Sequence, residues 1–245
     1  MAINTLFHSV LTQRAAIQLM SVTCILLFLV TVFSIKLQTP ESLPNSQLTV
    51  LTDTEQQYKI NTLPDANSQQ WKAVDDFELG LPMSDTPHWV SFAIPNLRSN
   101  EHWLLELNNG LIDHISVWFI EEGELLDHYQ TGDTLPFLSR SMPYETFLFS
   151  IPKFDQNLRV VMRLSSDGTL QVPINLWAES AFLVFNGEHS ILIGLFFGIL
   201  FAMGISNLFF FVISRQPVFL LYAGYVFSFA LLLAAMQGIG YKYIW

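Results

Sequence analysis

The sequence contains a single cysteine, and long stretches of it contain no carboxylate. Because Cys24 has no partner within the chain, an intrachain disulfide is excluded and cysteine usage does not indicate a redox compartment. All 21 acidic residues fall between Glu41 and Glu188, where only seven of the 11 basic residues accompany them. Such an acidic segment repels nucleic acid and anionic lipid headgroups, so a nucleic-acid partner is not expected.

Three apolar runs without any charged residue flank the acidic segment, at residues 15–35, 190–214 and 218–239. A charged side chain is costly inside a bilayer, so uncharged runs of about 20 residues are typical of membrane spans. The link from Ser214 to Pro217 is too short for a domain and predicts a tight turn between antiparallel spans. The sequence therefore predicts one water-exposed domain held in a lipid bilayer by hydrophobic segments.

Residues 1–36 have the features of a signal peptide or of an uncleaved signal anchor. Arg14 provides a basic start, but the uncharged run after it is longer than the usual signal core of about 7–15 residues. Both alternatives export the segment that begins after Lys36. We therefore expect residues 37–186 to form an exported domain. Residues 187–245 are expected to form two transmembrane helices, at about 190–214 and 218–240.

Short runs that alternate apolar and polar residues, or that are rich in aromatic and β-branched residues, fill the middle segment. Turn signals such as Asn108-Asn109-Gly110 and Asp167-Gly168 separate them. Strands of this length and spacing indicate an all-β, jelly-roll-like sandwich joined to α-helical transmembrane segments. The Gln- and Asp-rich residues 52–77 show little periodicity and predict a long covering loop. The predicted strands span residues 48–51, 89–94, 103–107, 115–120, 125–129, 146–151, 158–164 and 171–177.

A series of motifs follows in order along the chain: Phe77-Glu78-Leu79-Gly80, Trp89-Val90-Ser91-Phe92 with Asn96, Trp103-Leu104-Leu105-Glu106-Leu107, Gly132-Asp133 with Phe137 and Arg140, and Arg159-Val160-Val161-Met162-Arg163-Leu164. The apolar runs then contain Gly194, Gly198, Asn207, Tyr222 and Gly238. In this order the motifs resemble bacterial seven-transmembrane receptors with diverse intracellular signalling modules. The resemblance covers roughly residues 45–245.

The resemblance implies an extracytoplasmic sensor domain of the second type, which is similar to carbohydrate-binding jelly rolls. It also implies a bacterial inner-membrane protein, with residues 37–186 in the periplasm and residues 187–245 forming part of an incomplete helical core. The implied ligand is a small polar molecule such as a carbohydrate. Members of the family have seven core helices followed by a cytoplasmic output module, often a cyclic-dinucleotide synthase or a histidine kinase. This sequence reaches two of those helices. We therefore expect the ligand-sensing, N-terminal portion of a longer receptor, or a chain whose partner supplies the missing helices, with no enzymatic activity of its own.

Four residues are the candidates for ligand binding. Asp133, which follows Gly132 in a turn, and Arg140 either hydrogen-bond a sugar at the rim of the domain or pair with each other to fix a loop. Trp71 and Tyr144 lie near loops, where an aromatic face can stack on a pyranose ring. The other tryptophans of the domain fall in predicted strands and are expected in the core: Trp89, Trp103, Trp118 and Trp177.

The histidines are scattered without metal-ligand spacing, and the sequence contains neither a phosphate-binding loop nor a serine nucleophile motif. No metal, cofactor or catalytic residue is therefore predicted, and no motif supports a membrane-tethered hydrolase. The main alternative to a receptor is a membrane-anchored adaptor or structural protein. Its exported domain would bind a protein or the cell wall.

Small residues recur at every fourth position of the second apolar run: Gly194, Gly198, Ala202 and Ser206, with Asn207 beside them. This spacing lets another helix backbone approach closely, and an amide within a bilayer needs a hydrogen-bond partner. The pattern predicts a packing seam for a partner helix, or for a second copy in a homodimer.

Overall fold

The computed structural model describes residues 39–40, 48–65, 68–74, 78–81, 84–95, 101–168, 170–238 and 240. The predicted signal peptide or anchor at residues 1–36, with its apolar run and Cys24, lies outside the described residues. Phe77 and Asn96 of the motif series lie outside them as well.

The described part of the chain contains ten strands and two long helices. The strands are β1 (Leu48–Thr52), β2 (Lys72–Val74), β3 (Glu78–Leu81), β4 (Ser84–Ile94), β5 (Trp103–Leu107), β6 (His114–Glu121), β7 (Glu124–Thr131), β8 (Phe147–Ser150), β9 (Leu158–Ser166) and β10 (Leu170–Ala178). They pair antiparallel in two sheets, with the orders β2-β1-β4-β9-β6-β7 and β3-β10-β5-β8. The prediction of an all-β sandwich joined to helical segments is confirmed.

The hydrophobic core lies between the two sheets. On β9, Val160, Met162 and Leu164 are buried in it, because alternate side chains of a strand point to the same face. Leu105 and Phe149 enter the same cluster from the smaller sheet. Removing this apolar surface from water is the main favourable term in folding, and it fixes which face of each strand points inward.

The outer face of the larger sheet is covered by the segment that was predicted to be a long loop. Trp71 of this segment packs with Leu51, Trp89 and Val161 in a second cluster. The segment also contains a short 3-10 turn at Ile60–Thr62 and the strand β2. The sequence did not predict β2, because three residues are too few to show an alternating pattern.

Three of the four tryptophans expected in the core are buried: Trp89, Trp103 and Trp177. Trp118 is only partly buried, since it lies on the outer face of β6. Its ring stacks with its centroid 5.4 Å from that of Trp89 and 4.9 Å from that of His128.

The helices are α1 (Glu179–Ser214) and α2 (Pro217–Met236), and both are long and apolar enough to cross a membrane. With 36 residues, α1 is about 54 Å long, which exceeds the bilayer core of about 30 Å. Its first turns therefore extend beyond the membrane, towards the sandwich. The sequence predicted a transmembrane span at about 190–214, and the helix itself begins earlier, at Glu179, because Glu179 and Glu188 lie outside the uncharged run without interrupting the helix.

The two helices are antiparallel and joined by the predicted tight turn. Arg215 adopts a left-handed conformation with φ of 56°, and its N–H donates to the carbonyl of Phe211 at 2.8 Å. Pro217 begins α2, where its fixed φ suits the first helical position. The turn directs α2 back towards the sandwich, and its end lines the same cavity as Phe185, His189 and Ile193 of α1.

Candidate functional site: a cavity between the sandwich and the helices

A cavity of about 710 Å³ lies where the smaller sheet meets the helices. Its walls come from both parts of the molecule. The sandwich contributes Glu106, Asn109 and Tyr144 among others, and the helical part contributes His189 and Gln237. The cavity is therefore shared between the domain that faces water and the segments that enter the membrane.

Glu106 is the buried polar residue of the sandwich wall, with 3% of its surface exposed. Its Oε2 accepts hydrogen bonds from Asn175 Nδ2 at 3.0 Å and from Trp177 Nε1 at 2.8 Å. Its Oε1 accepts from the hydroxyl of Thr146 at 2.9 Å. These donors fill most of the hydrogen-bonding positions of the Glu106 carboxylate. Because all three donors are neutral, they do not cancel its negative charge.

The strand register explains how these groups meet. Glu106 of β5 lies opposite Asn175 of β10, and Trp177 follows two residues later on the same face. Because this face points away from the sandwich core, Glu106 reaches the cavity. The sequence contained a signal for it, since Glu106 is the one charged residue in the apolar strand Trp103–Leu107.

Tyr144 is the one predicted ligand-binding residue that lines the cavity. Its ring is buried and packs edge-on against Phe182 of α1, with the centroids 5.1 Å apart. Burial raises the pKa of the Tyr144 hydroxyl, and the carboxylates of Glu145 and Glu106 raise it further. The hydroxyl therefore stays protonated at neutral pH in a region of negative potential.

The helical wall is built around an aromatic stack. The ring of Phe185 lies 4.8 Å from that of Trp177 and 5.4 Å from that of His189, with the latter pair nearly parallel. These contacts attach the first turns of α1 to β10. Phe185, His189 and Gln237 were not among the sequence predictions, because only the folded chain brings the ends of α1 and α2 next to β5.

Arg140 supports the cavity wall from behind and is not one of the residues that line the cavity. Its Nη1 donates to the carbonyls of Tyr144 at 2.7 Å and Glu145 at 2.8 Å. Its guanidinium also lies 4.3 Å from the ring centroid of Phe147. These contacts hold the loop that carries Tyr144, so the structure directs the donors of Arg140 at the backbone.

Asp133 lies beside Asp113, at a different place from the cavity lining. Gly132 makes this possible, because a Cβ at that position would overlap the Asp113 carbonyl. Burial raises the pKa of the Asp133 carboxyl, and Asp113 raises it further, against a smaller opposing effect of Arg140. Asp133 thus belongs to a carboxylate pair that the sequence did not indicate, and Arg140 lies close enough to act on its charge. An ion pair between Asp133 and Arg140, and a hydrogen bond from either to a sugar, stay predictions.

Trp71 lies apart from the other three candidates, under the loop that covers the larger sheet. Its ring is 7% exposed, and its Nε1 donates to the carbonyl of Pro64 at 3.2 Å. Next to it, the buried carboxylate of Asp53 accepts from Trp89 Nε1 at 3.3 Å and from the backbone N–H of Gln57 and Tyr58. Stacking of Trp71 on a sugar stays a prediction.

The predicted packing seam on α1 is not where α1 and α2 pack most closely. Gly198 lies in a groove beside Phe227 and Ala230 of α2, but a Cβ on Gly198 or Gly194 would meet nothing within 4 Å. Ser206 donates to the Ala202 carbonyl of its own helix, and Asn207 donates to the carbonyl of Met203 at 2.8 Å. The close contact between α1 and α2 uses Gly204, where a Cβ would come within 2.5 Å of the Phe227 ring. Packing of a partner helix on the seam stays a prediction.

Two family models match the sequence. Residues 45–178 match the model described as 7TMR-DISM extracellular 2, which alone covers more than half of the chain. Residues 189–245 match the model described as 7TM diverse intracellular signalling. A comparison with curated proteins found no match.

Proposed function

The chain belongs to the family of seven-transmembrane receptors with diverse intracellular signalling, and on that premise we propose that its sandwich binds a small polar ligand, of the carbohydrate class, in the cavity next to α1 and α2. It is a membrane signalling receptor whose sensor domain lies outside the cytoplasm. In this proposal, ligand binding changes how the sandwich is seated on the helices. The helices pass that change to an output module beyond this sequence.

The observation that carries the proposal is that both parts of the molecule line one cavity. A ligand shifts a conformational equilibrium only if it interacts differently with the two states. A ligand held between Glu106 on one wall and His189 or Gln237 on the other meets this condition, because moving the helices changes its contacts. A site wholly inside the sandwich would not couple directly to the membrane.

The loop that carries Tyr144 is the proposed connection. Arg140 fixes the carbonyl of Glu145 on the sandwich side. The same carbonyl lies against Gly238 at the end of α2. A shift of this loop on ligand binding therefore reaches α2 through one peptide group.

The cavity suits a ligand of the proposed class in size and in polar lining. Its volume of about 710 Å³ lies within the range of about 300–1,000 Å³ that is usual for small-molecule sites. Amide, hydroxyl and carboxylate groups of Asn109, Tyr144 and Glu106 can hydrogen-bond the hydroxyls of a sugar. Enzymatic activity is not part of the proposal.

The relay can be tested with spin labels on the full chain in nanodiscs. Glu122→Cys in the β6–β7 turn and Gln216→Cys in the α1–α2 turn report the position of the sandwich relative to the helices. Glu122→Cys with Lys153→Cys is the control pair within the sandwich, and Cys24→Ser removes the native thiol in both. A panel of neutral, amino and acidic sugars is first screened for a rise in melting temperature.

A sugar that stabilises the chain should change the Glu122–Gln216 distance distribution and leave the control distance unchanged. Unchanged distances for both pairs with a bound sugar would contradict the relay. If no sugar stabilises the chain and a protein copurifies with it, the adaptor alternative is favoured.

We also propose that the chain lies in the bacterial inner membrane with the sandwich in the periplasm. Glu122 is exposed on the sandwich, so Glu122→Cys reports which side of the membrane the domain occupies. A membrane-impermeant maleimide should modify this thiol in spheroplasts. Modification only after lysis would place the sandwich in the cytosol.

A further inference from the structure

The charges around the cavity are predominantly negative. Glu106 and Glu145 both line it, and among the described lining residues there is no lysine or arginine and one histidine, His189. Arg140 lies behind the wall, and its donors are directed at backbone carbonyls. Burial raises the pKa of the Tyr144 hydroxyl, and the carboxylates of Glu145 and Glu106 raise it further, in keeping with a cavity lined by negative charge.

Glu106, which lines the cavity, also has hydrogen-bonding capacity left. Each carboxylate oxygen can accept two hydrogen bonds. Oε2 accepts two, from Asn175 and Trp177, whereas among the described residues Oε1 accepts one, from Thr146. The three donors are neutral, so they do not cancel the charge of this buried group. A cationic donor from a ligand would both fill the remaining position and offset the charge.

We infer that the ligand carries a protonated amino group, and that the cavity holds this group between the carboxylates of Glu106 and Glu145. This inference rests on the proposed function, since it names the ligand class of the same cavity. An anionic ligand would meet two carboxylates and is disfavoured. A neutral sugar can make hydrogen bonds to the same groups but leaves the buried charge without a counter-ion.

Two sources can supply such a group. One is a soluble amine, including an amino sugar. The other is the ethanolamine headgroup of a membrane lipid, because Ile193 of the apolar run and Met236 of α2 place the cavity at the membrane surface. The recognising chemistry is the same in both cases, so the experiment needs an arm for each source.

The first arm uses the full chain in nanodiscs of phosphatidylcholine and phosphatidylglycerol, at slightly acidic pH so that amines are protonated. Two matched series are titrated: ethanolamine, ethylene glycol and glycolate, then glucosamine, glucose and glucuronate. In at least one series the amine should bind about tenfold or more tightly than its neutral and acidic counterparts. Equal binding of a counterpart, or no binding by either amine, overturns the inference.

Variants then locate the site. Glu106→Gln and Glu145→Gln should each weaken amine binding about tenfold, because each removes one charge-assisted contact. Glu145→Gln is the second variant in case Glu106→Gln disturbs the hydrogen bonds to Asn175 and Trp177. Glu124→Gln is the matched control, since Glu124 is exposed on β7. An equal loss of amine affinity in Glu124→Gln would show a general effect of charge and would contradict binding of the amine at Glu106 and Glu145.

The second arm adds phosphatidylethanolamine to the nanodiscs. If the headgroup is the ligand, this lipid should raise the melting temperature of the wild-type chain, should not raise that of Glu145→Gln, and should compete with soluble ethanolamine. If the lipid has no effect and a soluble amine still binds, the ligand is soluble. Both results support recognition of an ammonium group.

The inference and the proposed function can fail separately. Glucose that binds as well as glucosamine and changes the Glu122–Gln216 distance would support the relay and overturn the ammonium site. An amine that binds, with the expected loss in Glu145→Gln, but leaves that distance unchanged would support the ammonium site and overturn the relay.

Discussion

The carbonyl oxygen of Glu145 lies 2.9 Å from the position that a Cβ on Gly238 would occupy. Glu145 belongs to the loop before β8, and Gly238 follows the end of α2 with φ of 74°. The sandwich and the second helix thus meet through backbone, at a residue whose conformation favours glycine. This contact gives the junction between the two parts of the chain a position that can be tested.

Gly238→Ala should loosen this junction. The new Cβ would displace the Glu145 backbone, and a side chain at positive φ costs about 1 kcal/mol or more. We expect a broader Glu122–Gln216 distance distribution by spin labelling and a lower melting temperature of the full chain. Gly224→Ala in α2 is the control, because a Cβ there meets nothing within 4 Å. A Gly238→Ala chain that behaves like this control would show that the contact does not hold the helix.

Arg140→Lys should destabilise the loop that carries Tyr144. An ammonium cannot reproduce the planar fork that reaches two carbonyls and lies over the Phe147 ring, so we expect a loss of about 2 kcal/mol. Urea unfolding followed by tryptophan fluorescence measures this loss. Arg163→Lys on β9, which keeps the charge at a partly buried position, should change stability little. Equal losses for both variants would contradict a specific role for Arg140.

Asp53→Asn should weaken the cover over the larger sheet. The amide would direct N–H groups at donors that now share the Asp53 carboxylate, such as Trp89 Nε1 and the Tyr58 N–H. Losing one of these buried hydrogen bonds costs about 1–3 kcal/mol. A lower urea midpoint with a red shift of tryptophan emission is expected, since Trp71 and Trp89 lie beneath the loop. Glu55 is exposed, so Glu55→Gln serves as the control and should leave the urea midpoint and the tryptophan emission unchanged.

Asp133→Asn should change how stability depends on pH. The pKa of Asp133 is raised above its ordinary value of 3.8 by burial and by Asp113, so the folded chain holds this proton more tightly than the unfolded chain. The stability from this group is therefore fully present below pH 3.8 and is lost as the pH rises through the folded-state pKa.

The amide introduced by Asp133→Asn carries no charge, so the variant should lose less stability than the wild type as the pH rises from 3.8 through the folded-state pKa of Asp133. Urea midpoints measured across that range check the difference, with Glu124→Gln as the control. Parallel pH profiles for wild type and Asp133→Asn would mean that the two carboxylates do not interact as the structure indicates.

Most strands could be predicted because alternation along a strand records which face is buried. Trp103–Leu107 is observed where it was predicted, and Val160, Met162 and Leu164 show the expected alternation on β9. The strands β2 and β3 were missed, since they have three and four residues and lie at the ends of their sheets. The membrane span predicted at about 190–214 is shorter than α1, which begins at Glu179, because charge marks the membrane boundary and not the helix boundary.

The candidate site was predicted only in part. Of the residues predicted to bind ligand, Tyr144 lines the cavity, whereas Arg140 contacts the loop behind it and Trp71 lies under the cover of the other sheet. Glu106 could have been noticed as a charge inside an apolar strand. Its role in the cavity could not, because that role depends on Asn175, about seventy residues further on, and on His189 in a different part of the molecule.

The sequence by itself determined which segments lie in water and which in lipid, because the cost of burying charge in lipid separates the acidic middle segment from the apolar runs. It also determined that the middle segment forms strands, because apolar and polar residues alternate along it. Only the tertiary structure decided which polar groups converge. The antiparallel register of β5 with β10 and the return of α2 to the sandwich place Glu106, Tyr144 and Gln237 around one cavity. Such convergence depends on long-range packing, which no local pattern of residues records.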